Sequence, residues 1–166
     1  GVPKAELQPE QLVVVDLNGN PRNAPPGLKP TSELPMHLEV YRRREDVGGV
    51  IHAHPVACVA LSLVGIPLGE PLIPEALVML GPVPTTRYAT PSSVENCEAI
   101  AGLIEEHNAI ILSQHGTLTV GQDLAEAYCR LETLEHTART VALAHQLGKP
   151  RRLTEEAVEK LLGGKI

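Results

Sequence analysis

His52 and His54 stand one residue apart in Val50-Ile51-His52-Ala53-His54-Pro55, a segment whose β-branched residues read as a strand. Period-2 alternation then points both imidazoles to one face of that strand. Two neutral imidazoles side by side suit zinc, cobalt or manganese; two solvated histidines on a strand have the same spacing. His115 shifts the balance towards metal. It follows the apolar run Ala109-Ile110-Ile111-Leu112 and precedes Gly116, where a turn can re-aim a side chain and a small residue admits close approach. Three histidines at one site leave a tetrahedral metal one open position, the arrangement of catalytic rather than structural zinc. Only the fold can bring His115 to His52 and His54.

Thr31-Ser32-Glu33 is the second candidate, placed where a helix begins. Free N–H groups and the positive end of the helix dipole favour an anion there, and two adjacent hydroxyls add donors. An ordinary helix cap followed by a first-turn carboxylate has the same signature. If this turn lies near the histidines, Thr31 and Ser32 hold a phosphate and Glu33 is a metal-proximal base able to take a carbon-bound proton. His37, four residues after Glu33, offers a lesser E-x-x-x-H ligand pair. The patterns G-x-G-x-x-G, G-x-x-x-x-G-K-[ST], H-E-x-x-H and G-x-S-x-G are absent, which removes support for nucleotide cradles, zincin proteases and serine hydrolase elbows.

The elements that must position these residues interleave irregularly. A strand over residues 12–17 enters a tight turn at Asn18-Gly19, and the proline-rich residues 21–31 read as an extended loop. Ser32 caps a helix whose apolar stripe is Leu34, Leu38 and Tyr41 and which ends near Arg42-Arg43-Arg44. A strand over 47–54 precedes a short apolar helix over 56–64, closed by Gly65, and a loop over 66–76. Short strands are expected at 77–80 and 83–88. Ser92 and Glu95 then form a capping box for a helix burying Val94, Cys97, Ala101 and Ile104. The strand over 109–112 continues over 117–120 after a kink. The longest helix starts at Asp123 with Glu126 as capping partner, buries Leu124, Ala127, Tyr128, Leu131, Leu134, Ala138 and Val141, and stops at Gly148 and Pro150. A small helix covers 154–162. The reading is one α/β domain over residues 1–166.

Composition bounds what such a domain does. The chain has 166 residues, 43% hydrophobic, with 14 basic and 20 acidic residues for a net charge of −6. Basic runs are confined to Arg42-Arg43-Arg44 and Arg151-Arg152, so no nucleic acid partner is expected. Three Tyr with no Phe or Trp leave no base-stacking platform. No apolar stretch of about 20 residues spans a membrane, and a soluble, cytoplasmic protein is the expectation. Cys58, Cys97 and Cys129 are an odd, widely spaced set in apolar runs, read as reduced and buried.

Several segments together resemble the class II aldolase/adducin-head family. They are Gly1-Val2-Pro3 with Leu12-Val13-Val14-Val15-Asp16, Thr31-Ser32-Glu33-Leu34-Pro35-Met36-His37, Val50-Ile51-His52-Ala53-His54-Pro55, Tyr88-Ala89-Thr90-Pro91 and Gln114-His115-Gly116. They occur in family order over nearly the whole chain. The resemblance implies a three-layer α/β/α domain around a central mixed, largely antiparallel sheet, in a homotetramer with sites at subunit interfaces. It implies Zn2+, or another divalent metal, held by His52, His54 and His115, with Glu33 able to ligate the resting metal and then to carry the substrate proton. The implied activity is a metal-dependent aldehyde-lyase of carbohydrate metabolism. It would reversibly cleave a ketose 1-phosphate of the L-fuculose 1-phosphate type, a small-molecule sugar phosphate, to dihydroxyacetone phosphate and an aldehyde. Glu33 favours aldolases over the pentulose-phosphate 4-epimerases, which typically carry Asp at this position.

Other reactions on the same frame are dehydration of methylthioribulose 1-phosphate, epimerisation and decarboxylation; a non-catalytic adducin-like module is the alternative outside enzymology. The resemblance places Thr31, Ser32 and Gly1 at the substrate phosphate, Gly1 matching the last glycine of a Thr-Pro-x-Gly turn. Glu75 falls where fuculose-phosphate aldolases carry a tyrosine that assists protonation, which marks it for substrate contact. Because Gly1 matches the end of that turn, about 40 residues of the family pattern are expected to precede it.

Overall fold

A computed structural model describes Pro3 and residues 6–163. Gly1 lies outside the described residues.

After a 3-10 turn at Pro9–Gln11, strands β1 (Val14–Val15) and β2 (Pro21–Asn23) pair antiparallel across the Asn18-Gly19 turn. Asp16 ties that turn: its Oδ1 accepts from the amides of Asn18 and Asn20, both at 2.9 Å, and Gly19 takes φ 85°. The expected loop over 21–31 therefore begins as an edge strand. Pro21 is tolerated there because an edge residue needs no ladder N–H.

Three strands form the central sheet in the order β3-β5-β4, with β3 at Gly49–Ala53, β4 at Ala109–Leu112 and β5 at Gly116–Gly121, antiparallel throughout. The expected continuation of one strand through 113–116 is instead a hairpin, Leu112 pairing with Gly116 across Ser113-Gln114-His115. Gln114 at φ 57° makes the reversal, and the His115 amide donates to the Leu112 carbonyl at 3.0 Å. Residues 83–88 run extended beside β4 and touch it through one parallel bridge, Thr85 to Ile111. Pro82 and Pro84 remove the donors that a full strand would need. The result is a mixed, largely antiparallel arrangement, as expected.

Helices cover both faces. Along β4 the side chains alternate: Ile110 and Leu112 join one core, Ala109 and Ile111 the other. On the first face lie α1 (Leu34–Arg43) and α4 (Val94–Glu106), which pack on each other and bury Met36, Val40, Ile100 and Ile104 against Val50, Leu118 and Val120. On the second lie α2 (Val56–Leu63), α3 (Pro74–Leu80) and α5 (Leu124–Leu147), bringing Cys58, Leu61, Leu80, Leu134, Ala138 and Val141 to Ala109 and Ile111. Helix α6 (Glu155–Gly163) packs on α3. Sheet between two helical layers is the three-layer α/β/α architecture.

Several local expectations are corrected. Residues 77–80 are helical: Pro74 opens α3 at its first turn, Gly81 at φ 65° closes it, and the apolar run 76–80 packs towards α5. A short apolar run has no period that separates helix from strand. In α1 the stripe splits. Leu38 is buried against Gly19 of the hairpin and Tyr41 packs on the core, as expected, whereas Leu34 is only half-buried and Met36 and Val40, outside the expected stripe, enter the core. Its N-cap is Glu33 rather than Ser32. In α4 the cap is Ser93, which accepts from the Asn96 amide at 3.3 Å, so the helix frame shifts and Val94 is 74% exposed while Asn96 and Ile100 are buried. Helix α5 has its expected cap, with Asp123 accepting from the Glu126 amide at 2.8 Å, but Leu124 and Tyr128 lie outside the core. Cys58 is buried, Cys97 is half-buried and Cys129 is exposed, which corrects the expectation that all three are buried.

Candidate metal centre

The pairing of β3 with β5 sets His52 opposite Leu118 and Ala53 opposite Thr117, which brings the β4–β5 turn alongside the end of β3. His52 shares strand parity with Val50, so it emerges towards the α1/α4 layer. His54 follows directly after β3, and Pro55 ends strand pairing there and becomes the N-cap of α2. His115 comes from the hairpin turn. The turn is held from outside: the Gln114 amide donates to Ser62 Oγ at 3.1 Å and the Ser113 amide to Thr86 Oγ1 at 3.2 Å.

These three residues converge. One ligand atom from each of His52, His54 and His115 lies within 4.8 Å of the others, the one such group of three among the described residues. Ring centroids are 4.8 to 4.9 Å apart. Gly116 makes this approach possible. A Cβ there would stand 2.4 Å from the Ala53 carbonyl oxygen, 2.8 Å from His54 Cδ2 and 3.1 Å from His52 Cε1.

The donor set fits a cation. His52 Nδ1 lies 2.9 Å from the Thr117 carbonyl oxygen, which can only accept, so Nδ1 carries the proton and Nε2 presents its lone pair. A backbone carbonyl orienting a histidine in this way is the usual outer support of a metal ligand. That Nε2 faces His54 Nε2 at 3.0 Å. His115 Nδ1 is buried without a hydrogen-bond partner. Burial pushes the His52 imidazole down to about 4, and burial also lowers His115. Both rings are neutral at pH 7, as ligation requires.

Glu33 stands at the start of α1 beside this cluster, close enough that its charge acts on both His52 and His115, but outside the group of three. Its Oε1 accepts from the Ser92 hydroxyl at 2.5 Å; its Oε2 is buried and unpartnered. Ser92 was not singled out for the site from sequence, because either serine of Thr90-Pro91-Ser92-Ser93 can serve as a helix cap. Thr31 and Ser32 are exposed on the turn into α1 and line a cleft of about 640 Å3 with Lys29 and Leu34. Thr31 Oγ1 accepts from the Glu33 amide at 3.3 Å. Glu75 is exposed in the first turn of α3, on the other helical layer, and the structure does not group it with the histidines.

Residues 1–142 match the Class II Aldolase and Adducin N-terminal domain family. The L-fuculose phosphate aldolase of Methanococcus maripaludis (strain C5) is 35% identical over 143 residues, 86% of this chain and 75% of that protein. The 3-oxo-tetronate 4-phosphate decarboxylase of Pectobacterium atrosepticum is 31% identical over 160 residues, 94% of this chain and 72% of that protein. Among solved structures, an L-fuculose 1-phosphate aldolase superposes with a TM-score of 0.85 at 30% identity, covering 98% of this chain and 76% of that one. With a sheet between two helical layers and three histidines gathered at its edge, the chain belongs to the Class II Aldolase and Adducin N-terminal domain family.

Proposed function

We propose that this chain is a zinc-dependent lyase that reversibly cleaves a ketose 1-phosphate into dihydroxyacetone phosphate and an aldehyde. The carrying observation is the convergence of His52, His54 and His115 with a carboxylate, Glu33, whose buried Oε2 has no partner. His52, His54 and His115 are the proposed ligands. A divalent cation bound there would supply Lewis-acid polarisation of the substrate's carbonyl and hydroxyl oxygens. Thr31 and Ser32, at the N-terminus of α1, are the proposed phosphate contacts, together with Gly1. Glu33 is the proton carrier. In the condensation direction its Oε2 accepts the proton leaving the carbon beside the substrate carbonyl; in cleavage it returns that proton after the carbon–carbon bond has broken. Glu75 is a proposed substrate contact in place of the family tyrosine. The working assembly is proposed to be a cytoplasmic homotetramer.

The decarboxylase relative favours a second reading, loss of carbon dioxide from a 3-oxo acid phosphate. Both reactions leave a carbanion beside a carbonyl, and the same glutamate can protonate it. A non-catalytic module of the adducin kind has no use for the histidine set.

A panel of ketose 1-phosphates and 3-oxo acid phosphates, assayed for dihydroxyacetone phosphate and for carbon dioxide, separates the two. Dihydroxyacetone phosphate release by the zinc-loaded protein, lost in Glu33→Gln without loss of zinc, is the expected result. An active Glu33→Gln protein would remove Glu33 as the proton carrier, and unchanged zinc content in His52→Ala would remove the ligand set.

A further inference from the structure

Ser92 has φ 61°, in the left-handed region that serine seldom adopts, and its hydroxyl donates to Glu33 Oε1 at 2.5 Å. The turn around it is fixed without that side chain. The Ser93 hydroxyl donates to the Thr90 carbonyl at 2.6 Å and accepts from the Asn96 amide at 3.3 Å, and the Thr90 hydroxyl donates to Glu95 at 3.3 Å. Glycine at position 92 would take the same φ with no crowding from a Cβ. A side chain is nonetheless carried in an unfavourable backbone region, and its hydroxyl goes to the carboxylate beside the histidines. Unfavourable conformations of this kind collect where a group must be held for function.

The carboxylate has two equivalent oxygens and a side chain long enough to turn. With Oε1 engaged by Ser92, only Oε2 remains free, buried and without a partner. Glu33 itself lies outside the group formed by the three histidines.

We propose that Ser92 is a positioning residue for Glu33, its hydroxyl holding Oε1 so that Oε2 alone, beside the histidine cluster, meets the substrate proton. This rests on the proton-carrying role proposed for Glu33. Ser92 moves no proton itself. Loss of its hydroxyl leaves the ligands in place and lets the carboxylate rotate, so the effect falls on the proton-transfer step and not on metal or substrate binding. A purely structural tie between the turn at 90–93 and the start of α1 would instead show itself in stability.

The test uses the zinc-loaded full chain with dihydroxyacetone phosphate in D2O, following deuterium incorporation beside the carbonyl by NMR over a range of substrate concentrations. Ser92→Gly and Ser92→Ala differ in backbone preference but share the loss of the hydroxyl. Both are expected to lower kcat for exchange about 10- to 100-fold, the span of one hydrogen bond to a charged group. KM and zinc content are expected to stay at the unmodified values. Ser92→Gly is expected to melt no lower than the unmodified protein, since glycine relieves the left-handed backbone. Exchange at the unmodified rate in Ser92→Gly would overturn the proposal, as would a fall in kcat accompanied by lost zinc or a lower melting temperature in that variant. If Ser92→Ala fails to fold, Ser92→Gly alone decides. The unmodified protein separates the two levels: no exchange there defeats the functional reading, whereas equal exchange in it and in Ser92→Gly defeats the role of Ser92 only.

Discussion

Gly116 supports the histidine cluster by having no side chain. The nearest obstacles to a Cβ there are the Ala53 carbonyl oxygen at 2.4 Å and the rings of His54 and His52 at 2.8 and 3.1 Å. The carbonyl belongs to the strand pairing and cannot move without breaking it, so the added methyl must displace β3 or the rings. Gly116→Ala is expected to cost about 1–3 kcal/mol of stability, the range for overpacking a filled site. It is also expected to lose zinc, because both imidazoles lie in the path of the methyl. Calorimetry with metal analysis checks both; an alanine protein that keeps its zinc would show that the cluster tolerates a shift of this size. At this scale the sequence carried much of the site. His-x-His on a strand needs no tertiary information to place two rings on one face, and His-Gly after an apolar run marks a turn. Ser92 was illegible because its role depends on a backbone angle, and Thr-Pro-Ser-Ser does not say which serine caps and which turns outward.

Helix α2 begins immediately after His54 and Pro55, and its first amides would be orphaned without Glu135 of α5. That carboxylate accepts from the Ala57 amide at 3.1 Å and the Cys58 amide at 3.2 Å, and pairs with Arg139 at 2.8 Å. Burial pushes the Glu135 carboxyl up, but the Arg139 guanidinium and the two amides outweigh it and hold it below the ordinary glutamate value. A depressed folded value means that the unfolded chain takes up the proton first. The stabilisation is therefore complete above the unfolded value of 4.5 and disappears as pH falls through the lower folded value. Glu135→Gln is expected to melt lower near neutral pH, by about 1 kcal/mol for a charge at a helix N-terminus. The gap between the two proteins is expected to narrow below pH 4.5. Paired melts from neutral to acid pH measure this, and a gap independent of pH would assign the effect to packing. No sequence pattern announces the contact, because Glu135 and α2 are far apart in the chain. The same limit bears on α3: its run Ala76-Leu77-Val78-Met79-Leu80 is apolar throughout and carries no period, and its packing partners α5 and α6 are distant in the chain. The cap of α5 at Asp123 and Glu126 was readable because both partners are local. In α1 and α4 the cap falls one residue later than the pattern suggests, since neighbouring hydroxyl and carboxylate residues offer equivalent caps.

Across the whole molecule, one sheet separates two aliphatic cores, and β4 feeds both because all four of its residues are buried. The histidine cluster lies where β3, the turn into β5 and the layer containing α1 meet, so a cation held there links segments distant in sequence. A ligand that needs all three rings binds the folded chain in preference to the unfolded one, and that preference adds to stability. At a free zinc concentration 100 times the dissociation constant the gain is about 2.7 kcal/mol, which for a chain of this size raises the melting temperature by about 5–10 °C. The sign of the pH dependence follows from the rings. Burial lowers His52 from 6.5 to about 4 and lowers His115 in the same direction, so the unfolded chain binds protons there before the folded one does. Stability of the metal-free protein is therefore expected to fall as pH drops from about 6.5 towards about 4. The zinc increment is expected to shrink over that window as well, because ligation requires unprotonated imidazoles. Melting the protein with zinc and with a chelator at pH 7.5 and pH 5 measures both effects, with His52→Ala as the control that should show no zinc increment. A melting temperature indifferent to zinc at pH 7.5 would mean that the three rings, close as they stand, do not hold the metal on which the proposed chemistry depends.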